Sequence, residues 1–436
     1  MKFVIMAGGR GTRIAELFPD IPKPLIPVDG MPILEREIRS LASQGFENII
    51  LTVGYLADKI IAYFGDGSQF GVKIDYFLEE TPLGNAGALF RLKNKIGDEP
   101  FFLLNADAAF DVDFNRMLDY HKKHGGLVTL FTHPNSHPYD SGLIIAGQDG
   151  KVEKWLSKED ERPQWYNNRV NAGLHVIDPK VLELSLMNLE TDPTTGYPKG
   201  KVDLDRQILK PLCGTGKMFC YDSPEYVKDM GTPERFHQVE ADYKNGVVQA
   251  KNLHNKQKAI FLDRDGTINK YVGFLRNIDD FELIEGASEA IKKINQSGYL
   301  AIVVTNQPVV ARGEVTWDEL HEIHKKMETL LGKDGAYIDG IYICPHHPDK
   351  GFAGERPEYK IDCDCRKPKP GLLFQAAKDF NIDLSLSIMI GDSERDVDAG
   401  KKARCEKSIL ITTNEENCLN ESLNDFFNGI HNNTTS

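Results

Sequence analysis

The sequence has neither an excess of positive charge nor a long hydrophobic run. Its 436 residues carry a formal net charge of −13, whereas a general nucleic-acid surface needs clustered lysine and arginine to displace counterions. No apolar run approaches the roughly 20 residues that cross a membrane. The apolar start, residues 1–7, is too short for a signal peptide and runs directly into glycines. We therefore expect no nucleic-acid partner, no membrane partner and a cytoplasmic location.

Cysteine is scarce, and its distribution argues against disulfide bonds. The seven cysteines are an odd number, and three of them crowd with a histidine between positions 344 and 365. Three thiolates and an imidazole suit a tetrahedral structural Zn²⁺, whereas a redox-active or merely exposed thiol cluster is the alternative. His347 is an alternative to His346 as the histidine ligand, and the spacing does not decide between them. The predicted zinc ligands are Cys344, His346, Cys363 and Cys365.

The apolar pattern predicts an α/β fold with two domains, each a mostly parallel sheet flanked by helices. Short apolar β-rich runs alternate with amphipathic stretches such as residues 33–44, which is typical of strands joined by crossover helices. The predicted strands are 3–6, 48–53, 101–104, 127–131, 259–262, 300–304, 338–343 and 387–390. The predicted division is a first domain at 1–240, a linker helix at 241–257, a second domain at 258–430 and a frayed tail at 431–436.

Two aspartates follow the first strand of the second domain. Asp263 and Asp265 lie two residues apart and point the same way at the carboxyl edge of the sheet, where α/β folds bind ligands. Asp263 can attack phosphorus, and Asp265 can protonate the leaving alcohol and later deprotonate water. Mg²⁺ would offset their repulsion, held by Asp263, the backbone carbonyl of Asp265 and Asp392, with Asp396 orienting the set.

Two further segments complete this pattern. Thr305 and Asn306 follow the strand at 300–304, and Lys367 would supply the fixed positive charge that phosphoryl transfer requires. A lone Asp-x-Asp is as easily a turn or a helix cap, but these segments occur in order, each after a predicted strand. Together they resemble the haloacid dehalogenase (HAD) superfamily.

Substrate selection in this domain is expected to fall to small loops. Only about forty residues separate Asp265 from Thr305, and one helix is expected to use most of them, so no large cap domain fits. The cysteine loop joined to 365–371, Cys-Arg-Lys-Pro-Lys-Pro-Gly, resembles the histidinol-phosphate and heptose-bisphosphate phosphatases over 258–430. The resemblance implies that Arg366 recognises the distal end of the substrate and that Arg312 contacts phosphate or sugar. Positions 308–310 read Pro-Val-Val and depart from the family pattern, which affects the loop shape and substrate preference.

A different glycine-rich segment opens the chain. Gly8, Gly9 and Gly11, followed by Thr12 and Arg13, form a loop whose bare backbone can approach a triphosphate closely. The segment has neither the lysine of a Walker A loop nor the spacing of a dinucleotide-binding loop. Downstream, Pro22 and Pro24 fix Lys23 in an extended segment, where it can neutralise charge on an α-phosphate.

These features resemble the sugar-1-phosphate nucleotidylyltransferases over residues 1–240, a Rossmann-like fold. The resemblance implies that Glu80 and Gly84 belong to the base-binding loop at 80–87 and that Asp107 and Asp229 clamp Mg²⁺. It also implies that Asn171 contacts the sugar, that Lys158 meets the sugar 1-phosphate and that Arg13 holds the departing pyrophosphate. The glutamate that usually precedes this lysine is Ser157 here. Taken singly, Asp107 could cap a helix, Asp229 could serve a turn and Lys23 could be solvated.

The resemblances together imply consecutive reactions. A heptose 1,7-bisphosphate that loses its 7-phosphate becomes a heptose 1-phosphate, the acceptor that a guanylyltransferase would need for making a GDP-heptose. A carboxylate such as Glu80 suits guanine, although the choice of GTP rests mainly on the resemblance. One alternative is a hexose 1-phosphate such as mannose 1-phosphate as the acceptor, with a histidinol-phosphatase-like or hexose-bisphosphate phosphatase in the second domain. The other is a catalytically inactive regulatory first domain. The expected partners are small molecules, namely the bisphosphate, the sugar 1-phosphate and an NTP; sugar anomer, substrate channelling and assembly into a homo-oligomer stay open.

Overall fold

A computed structural model describes residues 1–9, 11, 13–14, 16–106 and 108–434, with side chains described up to residue 429. The chain forms two compact units. Unit 1 comprises Met1–His133, Gly142–Ser157 and Asn171–Gln249, whereas unit 2 comprises Pro134–Ser141, Lys158–Val170 and the chain from Ala250 onward. Among the described residues, no helix is both long and apolar enough to span a membrane.

The first 250 residues contain thirteen strands and eight α-helices within the described ranges. The strands are β1 Lys2–Met6, β2 Pro27–Val28, β3 Met31–Pro32, β4 Asn48–Val53, β5 Lys73–Leu78, β6 Phe101–Asn105, β7 Ala108–Asp111, β8 Val128–His133, β9 Leu143–Ala146, β10 Val152–Leu156, β11 Val170–Ile177, β12 Met218–Asp222 and β13 Tyr226–Asp229. The helices are α1 Ile33–Ser43, α2 Ala57–Phe64, α3 Gly87–Arg91, α4 Lys93–Ile96, α5 Phe114–His124, α6 Lys180–Leu186, α7 Pro233–Lys244 and α8 Val247–Ala250.

Nine described strands of this part form one mixed sheet. Its order is β10-β9-β11-β6-β1-β4-β5, and β8 joins β12 to β11. β1 lies parallel to both β4 and β6, whereas β11 runs antiparallel to β6. Both faces are covered, because Phe3 and Ile5 pack into one core while Val4 packs into the other. The prediction of an α/β fold is confirmed, with the parallel pairs at the centre of the sheet and antiparallel strands added to them.

The chain after Ala250 builds a second sheet. Its strands are β14 Lys258–Leu262, β15 Tyr299–Asn306, β16 Gly340–Cys344, β17 Ile388–Gly391 and β18 Lys407–Leu410. Its helices are α9 Ala287–Asn295, α10 Trp317–Lys333, α11 Gly371–Asp379, α12 Glu394–Ala403 and α13 Cys418–Thr434. The strand order is β16-β15-β14-β17-β18, and every neighbouring pair is parallel. Parallel strands direct all their carboxyl ends to one edge, which fixes the place of the site.

One expectation about the segment between Asp265 and Thr305 is wrong. The only α-helix described there is α9, Ala287–Asn295, and a single 3₁₀ turn, Ile278–Asp280, precedes it. A helix therefore does not use most of this segment. Much of it is an irregular loop, since Asn277 and Gly286 favour turns rather than a longer helix. The loop exposes Tyr271, 49% accessible.

The predicted linker at 241–257 covers the end of α7, helix α8 and an irregular stretch up to β14. Four residues of that stretch are buried, namely Lys251, Asn252, Leu253 and Gln257. Gln257 donates from its amide to the carbonyls of Asn252 and Asn255, at 2.7 and 3.1 Å. At the other end, α13 continues to Thr434, and residues 435–436 of the predicted tail lie outside the described residues.

Candidate active sites

The carboxyl edge of the second sheet gathers the residues predicted for phosphoryl transfer. Asp263 follows β14, Thr305 lies near the end of β15, and Asp392 follows β17. Because β14 lies between β15 and β17, these ends are neighbours. Asp263, Asp392 and Asp396 each place a carboxylate oxygen within 4.8 Å of the other two. The arrangement offers hard oxygen ligands of the kind that Mg²⁺ prefers.

Lys367 neutralises the centre of this group. Its Nζ lies 2.7 Å from Asp263 Oδ1 and 2.6 Å from Asp396 Oδ1, and its side chain is 2% exposed. A buried ammonium is stable only when it is paired with carboxylates, which is the case here. Although burial alone would lower the pKa of Lys367, the charges of Asp263 and Asp396 raise it. Lys367 is therefore a fixed cation beside the predicted nucleophile.

Burial and crowding weaken the acidity of two carboxyl groups in this group. Burial, followed by the charges of Asp396 and Asp265, raises the pKa of Asp263 to about 7, although Lys367 opposes the shift. Burial also raises the pKa of Asp392, with Asp396 adding to it and a hydrogen bond from Thr413 opposing it. An excess of buried negative charge is typical of a site that binds a cation.

Asp265 has the opposite electrostatic environment. Arg264 Nη2 lies 2.9 and 2.8 Å from its two carboxylate oxygens, Asn269 donates at 3.0 Å, and Gln307 donates at 2.8 Å. Burial would raise the pKa of Asp265, but the charge of Arg264 and the hydrogen bonds outweigh it, so the pKa is lowered. Arg264 itself is fully buried and meets the His324 ring at 3.0 Å. Asp265 is thus held as a carboxylate in a fixed orientation.

Thr305 and Asn306 at the end of β15, with Gln307 just beyond it, lie between Asp265 and the segment that carries Lys367. Gln307 Nε2 donates to Thr305 Oγ1 at 2.8 Å as well as to Asp265. Asn306 accepts from the backbone N–H of Lys367 and donates to its carbonyl, both at 3.1 Å. Asn306 therefore positions the lysine segment. Its amide is engaged with the backbone of Lys367 rather than left open toward a substrate.

Gly266 allows the first loop to pass Asp392. Its φ is +85°, and a Cβ placed there would lie 2.1 Å from an oxygen of Asp392. Only glycine combines this backbone conformation with this close approach. The Gly of the segment 263–267 is therefore required by the geometry of the site.

The two arginines assigned to substrate lie in loops around the site. The guanidinium of Arg312 lies over the rings of Phe274 and Phe352, 4.1 and 4.4 Å from their centroids. Arg366 donates to the carbonyl of His346 at 3.1 Å. The charges of Arg366 and Arg312 add to burial in lowering the pKa of His347, so this loop region is locally basic.

The predicted thiol cluster is brought together by the structure. Cys344, His346, Cys363 and Cys365 place one ligand atom each within 4.8 Å of the others. Five of the pairs between these atoms are 3.2 to 3.7 Å apart. Hydrogen bonding with Cys344, and then with Cys363 and His346, outweighs the effect of burial and lowers the pKa of Cys365 to about 5. The histidine of the cluster is His346, while His347 contacts Asp349 instead.

Unit 1 contains a cavity of about 1070 Å³ beyond the end of β1. Most of the predicted nucleotide-binding residues line it. Lys201 and Tyr55 also line the cavity, although neither belongs to a motif recognised in the sequence. The lining includes Gly8, Gly9, Gly11, Lys23, Glu79, Glu80, Gly84, Asn85 and Asn105.

Lys23 and Asp229 approach each other in this unit. Lys23 starts a short 3₁₀ helix, Lys23–Leu25, and its Nζ lies 3.8 Å from Asp229 Oδ1. Arg235 pairs with the other oxygen of Asp229. A Cβ placed on Gly231 would lie 3.2 Å from Arg13 Nη2 and 2.9 Å from Asp229 Oδ1, so Arg13 reaches the same place. Two predicted cations and one predicted metal ligand therefore share one region.

Two glutamates face the cavity at the predicted base-binding loop. Glu79 is half-buried, and its carboxylate accepts the backbone N–H of Leu83 at 3.2 Å, whereas Glu80 is exposed. Burial raises the pKa of Glu79, partly offset by Leu83 and Arg91. Gly84, at φ +81°, passes so close to Val202 that a Cβ would lie 2.3 Å from its carbonyl oxygen.

The other residues predicted for the nucleotidyltransferase site differ in where they lie, and two of them are outside the described residues. Asn171 Oδ1 lies 3.2 Å from Nε2 of the buried His175, which orients it on β11. Lys158 is exposed, belongs to unit 2, and is not among the residues that line the cavity. Thr12 and Asp107 lie outside the described residues; Ala108 pairs with Asp229 between β7 and β13.

Sequence reasoning missed several residues of these sites. Gln307, Arg264 and Asn269 hold Asp265, and Glu79 is the more enclosed of the two glutamates at the cavity. Gln307 had one available signal, since it follows Thr305 by two positions and thus lies on the same face of the extended chain. The role of Arg264 had no such signal, because a charged residue between two aspartates is usually solvated.

Comparison with known proteins agrees with the two kinds of site. The nucleotidyl transferase family model matches residues 2–246, and the haloacid dehalogenase-like hydrolase family model matches residues 219–404. Over 158 residues the chain is 46% identical to the D-glycero-beta-D-manno-heptose-1,7-bisphosphate 7-phosphatase of Pasteurella multocida, which covers 36% of this chain and 83% of that protein.

Two similarities concern the N-terminal part. The chain is 30% identical over 253 residues to the mannose-1-phosphate guanylyltransferase of Mycobacterium tuberculosis, covering 57% of this chain and 66% of that protein. The crystal structure of HddC from Yersinia pseudotuberculosis aligns with 56% of this chain and 99% of its own, at 24% identity and a TM-score of 0.46. The first family match spans more than half of the 436 residues, and the phosphatase relative is covered over most of its length. The chain therefore belongs to the nucleotidyl transferase family and, in its C-terminal part, to the haloacid dehalogenase-like hydrolases, and it is a nucleotidyltransferase fused to a phosphatase.

Proposed function

We propose that the phosphatase removes the 7-phosphate of D-glycero-D-manno-heptose 1,7-bisphosphate and that the nucleotidyltransferase transfers GMP from GTP to the resulting heptose 1-phosphate. The observation that carries this proposal is the presence, in one chain, of a phosphatase 46% identical to a protein named for that bisphosphate and a nucleotidyl transferase. The product of the first reaction has the anomeric phosphate that the second requires. A histidinol phosphatase would share no metabolite with a nucleotidyltransferase.

In the phosphatase, a carboxylate oxygen of Asp263 attacks phosphorus and the bond to the sugar oxygen breaks. The minor, protonated form of Asp265 donates its proton to that leaving oxygen; a water then attacks the aspartyl phosphate, and the Asp265 carboxylate takes a proton from that water, which restores the protonated acid. This returns free phosphate and the original Asp263. The lowered pKa of Asp265 favours the second step, in which it acts as a base. Lys367 and the hydroxyl of Thr305 stabilise the negative charge on the transferring phosphoryl group.

The phosphatase site fits a Mg²⁺ ion. Asp263 and Asp392, with the backbone carbonyl of Asp265, would hold it, and Asp396 lies within the same cluster. Excess carboxylate charge at this place supports the assignment, since Lys367 is the one cation that the described residues pair with Asp263 and Asp396. When bound, the ion neutralises charge on the phosphate and orients it for in-line attack.

The thiol cluster fits a structural Zn²⁺ held by Cys344, His346, Cys363 and Cys365. Tetrahedral zinc, with bonds of about 2.0–2.3 Å, separates its ligand atoms by roughly 3.4–3.8 Å, and the donor atoms here lie 3.2 to 3.7 Å apart. The low pKa of Cys365 supports a thiolate ligand. The cluster lies next to Arg366 and Lys367 in the sequence, so the ion would fix the loop that delivers both.

In the nucleotidyltransferase, an oxygen of the sugar 1-phosphate attacks the α-phosphorus of GTP and pyrophosphate leaves. Lys23 neutralises charge on the α-phosphate, Arg13 holds the pyrophosphate, and the glycine loop at Gly8, Gly9 and Gly11 offers backbone N–H groups to the triphosphate. Asp229, with Asp107, would hold a Mg²⁺ ion there. The approach of Lys23 and Arg13 to Asp229 supports this grouping. Asn171 would contact the sugar and Lys158 its phosphate.

Glu79 is the better candidate for reading guanine. Guanine presents two N–H donors on one edge, and a partly buried carboxylate that faces the cavity can accept both. Glu79 meets this description, whereas Glu80 is exposed. Glu79→Gln should lower kcat/KM for GTP about tenfold or more while changing little for ATP, because hydrogen bonds to a charged group are the stronger ones. Glu80→Gln is the matched control, and an equal loss in both variants would contradict the assignment.

The decisive experiment supplies purified protein with heptose 1,7-bisphosphate and each NTP in turn and identifies the sugar nucleotide by mass. We expect phosphate release, followed by GDP-heptose with GTP. Absence of phosphate release from this bisphosphate would overturn the proposal for the phosphatase.

A hexose is the second candidate acceptor, because the chain is 30% identical to a protein named mannose-1-phosphate guanylyltransferase. A panel of sugar 1-phosphates separates the candidates. A higher kcat/KM for mannose 1-phosphate than for heptose 1-phosphate would favour the hexose. Failure to release pyrophosphate with every sugar and NTP would instead indicate an inactive regulatory domain.

A further inference from the structure

Helix α10 of the phosphatase carries a histidine in its apolar face. Leu320, Ile323, Met327 and Leu331 recur at the helical spacing and are buried. His324 lies on the same side of the helix and is 3% exposed. A polar ring in such a place needs a hydrogen-bond partner, because a buried polar group without one destabilises the fold.

The partner of His324 is Arg264, the fully buried residue between the two aspartates of the phosphatase site. Arg264 Nη1 lies 3.0 Å from Nε2 of His324. The other nitrogens of the same guanidinium hold Asp265, since Nε lies 3.2 Å from Oδ1 and Nη2 lies 2.9 and 2.8 Å from Oδ1 and Oδ2. One rigid planar group therefore joins α10 to the carboxylate of Asp265.

The chemistry of the two groups fixes the direction of the bond between His324 and Arg264. A guanidinium has five N–H donors and no acceptor, and it stays protonated in proteins. Nε2 of His324 must therefore accept, which places the proton of the neutral ring on Nδ1. Burial, followed by the charges of Arg264 and His321, holds the pKa of His324 well below its ordinary value. The ring is thus a neutral acceptor and not a second cation beside Arg264.

Asp265 depends on this guanidinium for its orientation. Asn269 and Gln307 donate to Asp265 at 3.0 and 2.8 Å, whereas Arg264 contacts both carboxylate oxygens. A bidentate pair fixes the plane of a carboxylate as well as its position. A buried N–H that loses its acceptor carries the full desolvation penalty. Without the acceptor on His324, the guanidinium would gain by turning toward another acceptor, and the plane of Asp265 would turn with it.

We infer that His324 is a positioning residue of the phosphatase, which accepts a hydrogen bond from Arg264 and thereby orients the carboxyl group of Asp265 toward the leaving oxygen. The inference rests on the proposed role of Asp265 as the acid that protonates this oxygen. In its own role His324 exchanges no proton and contacts no substrate.

The test compares two phosphate esters that differ in how far the leaving oxygen needs a proton. A sugar phosphate releases an alcohol and depends on the acid, whereas p-nitrophenyl phosphate releases a phenolate that is stable without a proton. In the full chain, His324→Leu should lower kcat/KM for heptose 1,7-bisphosphate at least about tenfold, because misplacing a reacting group by about 1 Å can cost about 100-fold. For p-nitrophenyl phosphate, kcat/KM should change less than about threefold, since it covers only the steps up to the aspartyl phosphate.

A rescue variant and a control make this comparison specific. His324→Gln should restore kcat/KM for the bisphosphate to within about threefold of the wild type, because an amide oxygen can accept in place of Nε2. His321→Leu makes the same replacement one turn earlier on α10, at a half-buried ring that stacks on Trp317. It should leave the preference between the two esters unchanged. An equal loss with both esters in His324→Leu would indicate a general structural role and overturn the inference.

Asp265→Asn separates the inference from the proposed function. This variant lacks the acid, so it should slow the bisphosphate far more than the aryl ester. If it slows both esters equally, the proposed role of Asp265 is wrong. If Asp265→Asn changes the preference between the esters and folded His324→Leu does not, only the inference about His324 is wrong.

A measurement on the wild type keeps the inference testable even if His324→Leu does not fold. In ¹⁵N NMR spectra of histidine-labelled protein at pH 7, the ring of His324 should be neutral with its proton on Nδ1. A proton on Nε2, or a charged ring, would overturn the inference. A wild type that releases no phosphate from heptose 1,7-bisphosphate would instead refute the proposed substrate, and the spectra would still report the hydrogen bond to Arg264.

Discussion

The buried lysine of the phosphatase is expected to serve both folding and chemistry. Lys367 pairs with Asp263 and Asp396 at 2.7 and 2.6 Å, so Lys367→Met leaves two carboxylates facing each other. We expect phosphate release to fall by about 10²–10³-fold or more, as for loss of one transition-state donor. The free energy of unfolding should fall by roughly 3 kcal/mol, because breaking a buried pair leaves unpaired charge. Phosphate release and urea unfolding measure the two effects.

Lys369 provides the control for that substitution. It lies two positions further on, is 40% exposed and pairs with Asp362 at 2.7 Å. Lys369→Met should therefore change phosphate release less than twofold. If Lys367→Met released phosphate as fast as Lys369→Met, the lysine would have no part in the reaction.

His175 makes the stability of unit 1 depend on pH. Burial lowers its pKa to about 4, whereas the unfolded chain takes up that proton near pH 6.5. Between these values the unfolded state binds more protons, so stability is complete above pH 6.5 and is lost as the pH falls toward 4. The loss attributable to this group is about 3 kcal/mol. Urea unfolding at pH 7 and pH 4.5 should show a smaller difference for His175→Gln than for the wild type, and equal differences would contradict the assignment.

Elements of regular structure were largely predictable, because their signals are local. The strand predicted at 48–53 is Asn48–Val53, and the helix predicted at 33–44 is Ile33–Ser43. Each follows from a run of apolar residues with one period, ended by a residue such as Gly45 at φ +84°. The prediction failed for the segment before β15, because the length of a segment does not by itself imply a long helix, and α9 there covers only Ala287–Asn295.

Contacts between distant elements carried no comparable signal. Thr329 meets the backbone of Tyr166 across 163 positions, and Asp263 meets Asp392 only because β14 and β17 are neighbours. The thiol cluster could be predicted because its ligand types are unusual and close together in the sequence. Glu79 and Glu80, in contrast, differ only in burial, which depends on how β5 packs.

The loop that carries the thiol cluster gives a prediction at the scale of one element. Purified protein should contain about one zinc ion per chain, because three thiolates and an imidazole make a closed structural site. Cys363→Ser should lower the zinc content and weaken phosphate release, since the loop that delivers Arg366 and Lys367 loses its anchor. Cys418→Ser, outside the cluster, is the control. Metal analysis is the measurement, and full zinc content with His346→Asn but not His347→Asn would contradict the ligand set.

The whole molecule combines two sites with separate residues, and this separation can be tested directly. Asp263→Asn removes the carboxylate proposed as the nucleophile of the phosphatase, so phosphate release should fall at least about 10³-fold, within the range for losing a nucleophile. Pyrophosphate release from GTP and a supplied sugar 1-phosphate should stay within twofold of the wild type. Lys23→Ala should do the reverse, because Lys23 lines the cavity of unit 1 and takes no part in the phosphatase site.

A mixture of the two variants tests whether joining the two active sites in one chain speeds the reaction sequence, compared with having the sites on separate chains. Asp263→Asn and Lys23→Ala together still supply one working copy of each site, but on different chains, so the intermediate must diffuse between them. If tethering matters, the wild type should form sugar nucleotide from bisphosphate with a shorter lag than the mixture at equal site concentration, because a linked site has a higher effective concentration of its substrate. A time course with mass detection measures the lag. Equal lags would show that the fusion gives no kinetic advantage, and loss of both activities in folded Asp263→Asn protein would contradict the independence of the sites.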